Sequence, residues 1–167
     1  MGEVYIYIAG VILCVACSAF FSASEMSFSA CSRVRLEHQR DNGDKKAGIA
    51  VRIRERFDDA LSAILVGNNL VNIAATSIGT VLAVNLAASM EGAITDDMAS
   101  TITTVVMTVL ILIFGEITPK MFAKRRNEGM AKIAAYPLRL LMIILSPAVL
   151  LTAAIVNGLS ILWRKDE

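Results

Sequence analysis

The chain has 167 residues, 56% of them hydrophobic and 19% charged, with a mean hydropathy of +0.62. That is too apolar for an ordinary soluble domain and fits an integral membrane protein, so the lipid bilayer is its first partner. A net charge of +1 is uninformative in itself, no nucleic-acid partner is expected, and one histidine, His38, leaves little for nucleophilic or zinc chemistry. The three cysteines are an odd number, two of them (Cys14 and Cys17) inside an apolar run where free thiols behave as small hydrophobes.

The first uncharged run, Val4 to Ser24, is long enough to span a bilayer and lacks a basic leader, so it reads as a retained helix. Its last third carries Ser18 and Ser22, four residues apart and therefore on one helical face. Small residues there suit close helix packing with hydroxyls bonded back to the backbone; a polar lining is the other reading. Arg33 to Arg56 holds eight basic residues against four acids, which places it in the cytoplasm and the N-terminus outside. Asp41-Asn42-Gly43-Asp44 marks a turn between two helical stretches. The charge run reads as a solvated loop, with anionic lipid contact as the alternative.

Ala60 to Met90 is again uncharged and carries Gly67-Asn68-Asn69-Leu70-Val71-Asn72. Asn68 and Asn72 lie one turn apart on one face, and an amide facing lipid is costly, so the pair faces protein, water or an ion. Ala74, Ala75, Ser77 and Gly79 permit close backbone approach, between protomers or within one. The next loop has Glu91, Asp96 and Asp97 and no base, as expected outside. Met98 to Gly115 returns inward, and Lys120, Lys124, Arg125 and Arg126 mark its cytoplasmic end.

The third run ends on Gly115-Glu116-Ile117-Thr118-Pro119-Lys120. Pro119 has no N–H to continue a helix, which frees a carbonyl near Gly115 beside the Glu116 carboxylate. That is a seat for a hard cation, or else simply a helix end with Glu116 in water. Leu140 to Trp163 is long enough for a fourth span, but basic residues flank both ends and Ser146-Pro147 interrupts it. We therefore expect 133–163 to form a non-crossing, interfacial or re-entrant hairpin, leaving the C-terminus cytoplasmic.

The strings Ser18-Ala-Phe-Phe-Ser22-Ala-Ser24-Glu25, Gly67-Asn68-Asn69-Leu-Val-Asn72 and Gly115-Glu116-Ile-Thr-Pro119-Lys120, one per span and in this order, resemble the transmembrane domain of the CNNM/CorC family, the DUF21 domain. The resemblance covers almost the whole chain. It implies an all-α integral membrane protein with three transmembrane helices plus cytoplasm-side juxtamembrane helices, forming a homodimer. It implies magnesium transport coupled to sodium, with efflux favoured over uptake, in a bacterial inner membrane. The serine pair, the two asparagines and the Gly-Glu pair (Ser18, Ser22, Asn68, Asn72, Gly115 and Glu116) would line one Mg2+ site open to the cytoplasm. Family members continue into cytoplasmic CBS domains and a further domain; residues 1–167 are expected to be a single DUF21-type domain without them.

The chemistry agrees with that expectation. Magnesium takes near-octahedral oxygen ligands at roughly 2.0–2.1 Å, and these side chains offer oxygen without thiolate or imidazole. One carboxylate leaves the bound ion incompletely neutralised, which favours the releasable binding that transport needs. Glu25 is expected to add a second charge or to pair with a loop arginine. A non-transporting magnesium sensor or scaffold is the alternative function.

Overall fold

The computed structural model describes residues 2–88 and 95–146. The helices run α1 (Gly2–Ala30), α2 (Arg33–Asp41), α3 (Lys45–Glu55), α4 (Phe57–Ala88), α5 (Asp96–Leu110), a π-helical segment (Ile111–Ile117), α6 (Thr118–Arg125) and α7 (Asn127–Ile144). Among the described residues, three helical stretches are long and apolar enough to cross a membrane: Val4–Ala30, Phe57–Ala88 and Asp96–Arg125. At 27, 32 and 30 residues they measure about 40–48 Å, longer than a hydrocarbon core of about 30 Å, so their polar ends project beyond it.

The spans expose most of their large side chains, among them Ile12, Leu13, Leu70, Ile73, Val105 and Phe114. In lipid such exposure costs nothing, and helix contact depends instead on close packing by small residues. Ala75 and Gly79 of α4 do this within the protomer, lying against Met107 of α5, whereas Ser77 is exposed. Of the four small residues that could face a second protomer, these two are therefore committed inside the first.

The larger core sits at the basic end. Phe21 and Phe28 of α1, Leu36 of α2, Ile49 and Ile53 of α3, Ile64 of α4 and Leu138 of α7 bury one another there. The α2–α3 turn forms where the sequence predicts it, with Gly43 at φ +92°, a left-handed value that suits glycine. Asp44 caps α3, its Oδ1 accepting from the Lys46 and Ala47 N–H groups at 2.9 and 3.2 Å. Its Oδ2 accepts from Lys132 Nζ of α7 at 3.0 Å. That bond first, then the backbone bonds, hold the carboxyl below its usual range.

Two spans differ from their predicted ends. The first helix continues past Ser24 to Ala30 because the polar residues of this end are satisfied: Ser24 Oγ donates to Phe20 O and Ser27 Oγ to Ser24 O. The third does not end near Gly115. It passes through Pro119 by widening into the π-helical segment, where the Thr118 N–H donates to Ile113 O, five residues back. The stretch expected to form a non-crossing hairpin, 133–163, overlaps α7 to residue 146, and the Pro147 break, Trp163 and the Arg164-Lys165 flank lie outside the described residues.

Candidate cation site

The π-helical segment is what shapes the centre. An α-helical Gly115 carbonyl would accept from residue 119, but Pro119 has no proton to give. Widened turns of this kind relieve the lost bond and occur often at functional positions. The Gly115 carbonyl lies 3.4 Å from Ser18 Oγ of α1. Contact is this close because residue 115 has no side chain: a Cβ there would stand 2.8 Å from Ser18 Oγ and 3.2 Å from Ser18 Cβ.

Ser18 is fully buried, and its hydroxyl also donates to Asn68 Oδ1 of α4 at 3.0 Å. With Asn68 Oδ1 toward Ser18, one hydroxyl proton faces two acceptors, and one of these oxygens keeps a free lone pair. One turn along α4, Asn72 Nδ2 donates to Glu116 Oε1 at 3.2 Å. Ser18, Asn68, Asn72, Gly115 and Glu116 are thus drawn together from three spans. Ser22 follows one turn after Ser18, buried, and no hydrogen bond ties it to the group.

Two oxygens here are buried without a partner, Ser22 Oγ and Asn72 Oδ1. Leaving such a group unsatisfied costs about 1–3 kcal/mol, so it invites a ligand. Beyond Asn72 and Glu116 a cleft of about 460 Å³ opens between α4 and α5, lined also by Thr76, Ser77 and Thr108. The two threonines were not singled out in the sequence, since a threonine in a helix usually bonds its own backbone, and Ser77 was read there only as a small packing residue. Thr76 and Thr108 do so, donating to Asn72 O and Thr104 O. The spacing of Thr76 and Ser77 from Asn72, at i+4 and i+5, was the available signal.

The remaining polar residues fall elsewhere. Asn69 is exposed on α4. Glu25 pairs neither with a cation site nor with a loop arginine but with Lys120 Nζ of α6, at 3.1 Å. Among the described residues no cluster of three histidines, cysteines or carboxylates exists, so any ion held at this centre depends on neutral oxygens and Glu116. The donor set is all oxygen, which suits a hard cation and not a soft one.

An all-helical integral membrane domain with hydroxyls, amides and one carboxylate gathered between three apolar spans is the class these features define. The chain belongs to the family described as the cyclin M transmembrane N-terminal domain, whose model matches residues 9–166. It is 34% identical over 142 residues to the UPF0053 inner membrane protein YfjD of Escherichia coli, covering 85% of this chain and 31% of that protein. It is 35% identical over 139 residues to a UPF0053 protein of Haemophilus influenzae, covering 83% and 31%. A DUF21 domain-containing chloroplastic protein of Arabidopsis thaliana is 34% identical over 140 residues, 83% of this chain and 20% of that one. The chain spans about a third or less of the length of these relatives.

Proposed function

We propose that this domain carries magnesium across a membrane, with Ser18, Ser22, Asn68, Asn72, the Gly115 carbonyl and Glu116 as the ion's ligands. The observation that carries the reading is the pair of orphaned buried oxygens, Ser22 Oγ one turn along α1 from Ser18 and Asn72 Oδ1 on the amide that meets the half-exposed Glu116 carboxylate. Oxygen-only ligands with a single formal charge suit an ion that sheds water reluctantly and must also be released. The basic ends of the spans, with α2 and α3 between them, belong in the cytoplasm, which sets the N-terminus outside and opens the site inward. In the working protein the domain is a homodimer in a bacterial inner membrane, continued by cytoplasmic CBS domains. Sodium is the coupling ion and efflux the direction.

The test is Glu116→Gln, which keeps size and shape and removes the charge. A desolvated divalent cation needs formal negative charge nearby, so magnesium affinity should fall at least about tenfold. Calorimetric titration of the purified chain measures the binding, and magnesium flux into sealed proteoliposomes measures transport. Undiminished binding and flux in Glu116→Gln would overturn the site. Intact binding by the wild-type chain without any flux, even when continued by its cytoplasmic domains, would make it a sensor.

A further inference from the structure

The strongest unassigned feature lies at the basic end, away from the centre between the spans. Two adjoining clefts, each of about 760 Å³, lie between α3 and α7 and share Arg52 and Arg139 in their walls. The first also takes in Arg56 and Asp59, the second Lys45 and Asp44, and Glu55 borders both. The carboxylates here are already engaged. Asp44 holds Lys132 at 3.0 Å, Glu55 holds Arg33 at 3.1 Å, and Asp59 holds Arg56 at 2.8 Å. Arg52, Arg139 and Lys45 have no carboxylate partner among the described residues, so the shared wall carries uncompensated positive charge.

The other character of the clefts is apolar. Tyr136 and Ile143 line them from the same face of α7 as Arg139, at spacings of three and four residues. Exposed Ile133 and Leu140 extend that apolar surface along α7. Asp59, in the first turn of α4, borders the first cleft, which therefore lies level with the polar end of a membrane span. Guanidinium groups match phosphate oxygens in a bidentate fork, and an amphipathic helix beside them suits the boundary between headgroups and acyl chains.

We propose that the α3–α7 clefts bind the phosphate headgroup of an anionic phospholipid, with Arg52 and Arg139 on the phosphate and Tyr136 and Ile143 against the start of its acyl chains. A soluble phosphate compound would satisfy the arginines equally well but has no use for the apolar wall. The bound lipid ties α3 to α7, and therefore the polar cap of the domain to one leaflet.

Native mass spectrometry of the detergent-purified chain, with phosphatidylglycerol or phosphatidylcholine added at equal concentration, reads this directly. The wild-type chain should retain phosphatidylglycerol in preference, and Arg52→Gln/Arg139→Gln should reduce that preference by about tenfold. Arg35→Gln, which removes a pair with Glu128 outside the clefts, should leave it unchanged. Arg52 and Arg139 are exposed, so neither change threatens the fold. Arg52→Lys/Arg139→Lys should keep most of the preference, and equal loss in the lysine and glutamine variants would reveal a packing effect and refute the charge assignment. Unaltered preference in the glutamine variant refutes it too. Displacement of the lipid by millimolar inorganic phosphate would assign the clefts to a soluble phosphate ligand instead.

Discussion

Replacing Gly115 by alanine tests the geometry of the centre through a single methyl group. The added Cβ meets Ser18 Oγ at 2.8 Å, Ser18 Cβ at 3.2 Å and Ile111 Cγ2 at 3.5 Å. Rotating the Ser18 hydroxyl relieves the first contact and breaks both of its hydrogen bonds, but no rotamer moves the Ser18 Cβ. Relief of the second contact requires α1 itself to shift by a few tenths of an ångström. Overpacking of this kind costs about 1–3 kcal/mol, and the better helix propensity of alanine returns about 0.8–1 kcal/mol. The net loss of stability is therefore about 0–2 kcal/mol, small enough for the fold to survive. The site suffers more, because the Gly115 carbonyl and the Ser18 hydroxyl are both moved from the positions where they converge. We expect Gly115→Ala to abolish thermal stabilisation by magnesium while lowering the melting temperature only slightly. The double-mutant cycle with Ser18→Ala is the stricter check. Deleting the hydroxyl removes the 2.8 Å contact, so the two changes should combine with about 1 kcal/mol less destabilisation than their sum. Strict additivity, or a wild-type magnesium response in Gly115→Ala, would show that α1 and the π-helical segment do not meet as described.

Gly67→Ala should destabilise more strongly, by about 1–3 kcal/mol, since its Cβ would stand 2.7 Å from Cζ of the buried Phe21 ring; Phe21→Leu should restore part of the loss in thermal denaturation. Gly79→Ala should be nearly silent in the same assay, because it meets only the flexible Met107 side chain, at 3.0 Å from Cγ and 3.1 Å from Sδ. The depressed Asp44 carboxyl supplies stability that is complete above its unfolded pKa and lost as pH falls through its lower folded value. Thermal unfolding followed down an acid series should therefore steepen at its acid limb, and Lys132→Met should lessen that slope. Glu25→Gln should weaken magnesium binding measured by calorimetry, although Glu25 is not among the proposed ligands, and the additional change Lys120→Gln should restore it.

The spans and the cap were legible because each depends on a local pattern: uncharged runs, a basic loop, and an Asn-Gly turn with an aspartate cap. The partners of the centre were legible too, since serines and asparagines four residues apart can only share a face. What escaped was set by contacts distant in sequence or by adjustment of the backbone. Pro119 signals a break when read locally, yet a π-helical slip lets the helix continue and keeps only the useful consequence, a Gly115 carbonyl that takes no bond from residue 119 and faces Ser18. Glu25 and Lys120 are 95 positions apart, and nothing local joins them. The wall of threonines beyond Asn72 was hidden because back-bonded hydroxyls and lining hydroxyls look alike in sequence.

The Glu25–Lys120 pair bears on how a lone carboxylate stays available. Lys120 follows Glu116 by four residues, the spacing at which a glutamate and a lysine on one helix normally pair. Such a pair would hold a permanent cation over the one formal charge of the centre, and a divalent ion would have to displace it. Instead Lys120 Nζ is held by Glu25 Oε2 at 3.1 Å, while among the described residues Glu116 has only the Asn72 amide, a neutral donor, on Oε1. With side chains 29% and 37% exposed, the Glu25–Lys120 pair contributes at most about 1 kcal/mol to stability. Its larger effect is electrostatic. If the proposed site holds, a neutral amide beside Glu116 would yield to an arriving cation by rotating its own oxygen inward, and Asn72 Oδ1 is buried without a partner. On the proposed function, the acid at the end of the first span would work by occupying the lysine at the end of the third. A centre with one carboxylate would bind and release a hard cation only while that lysine is kept elsewhere.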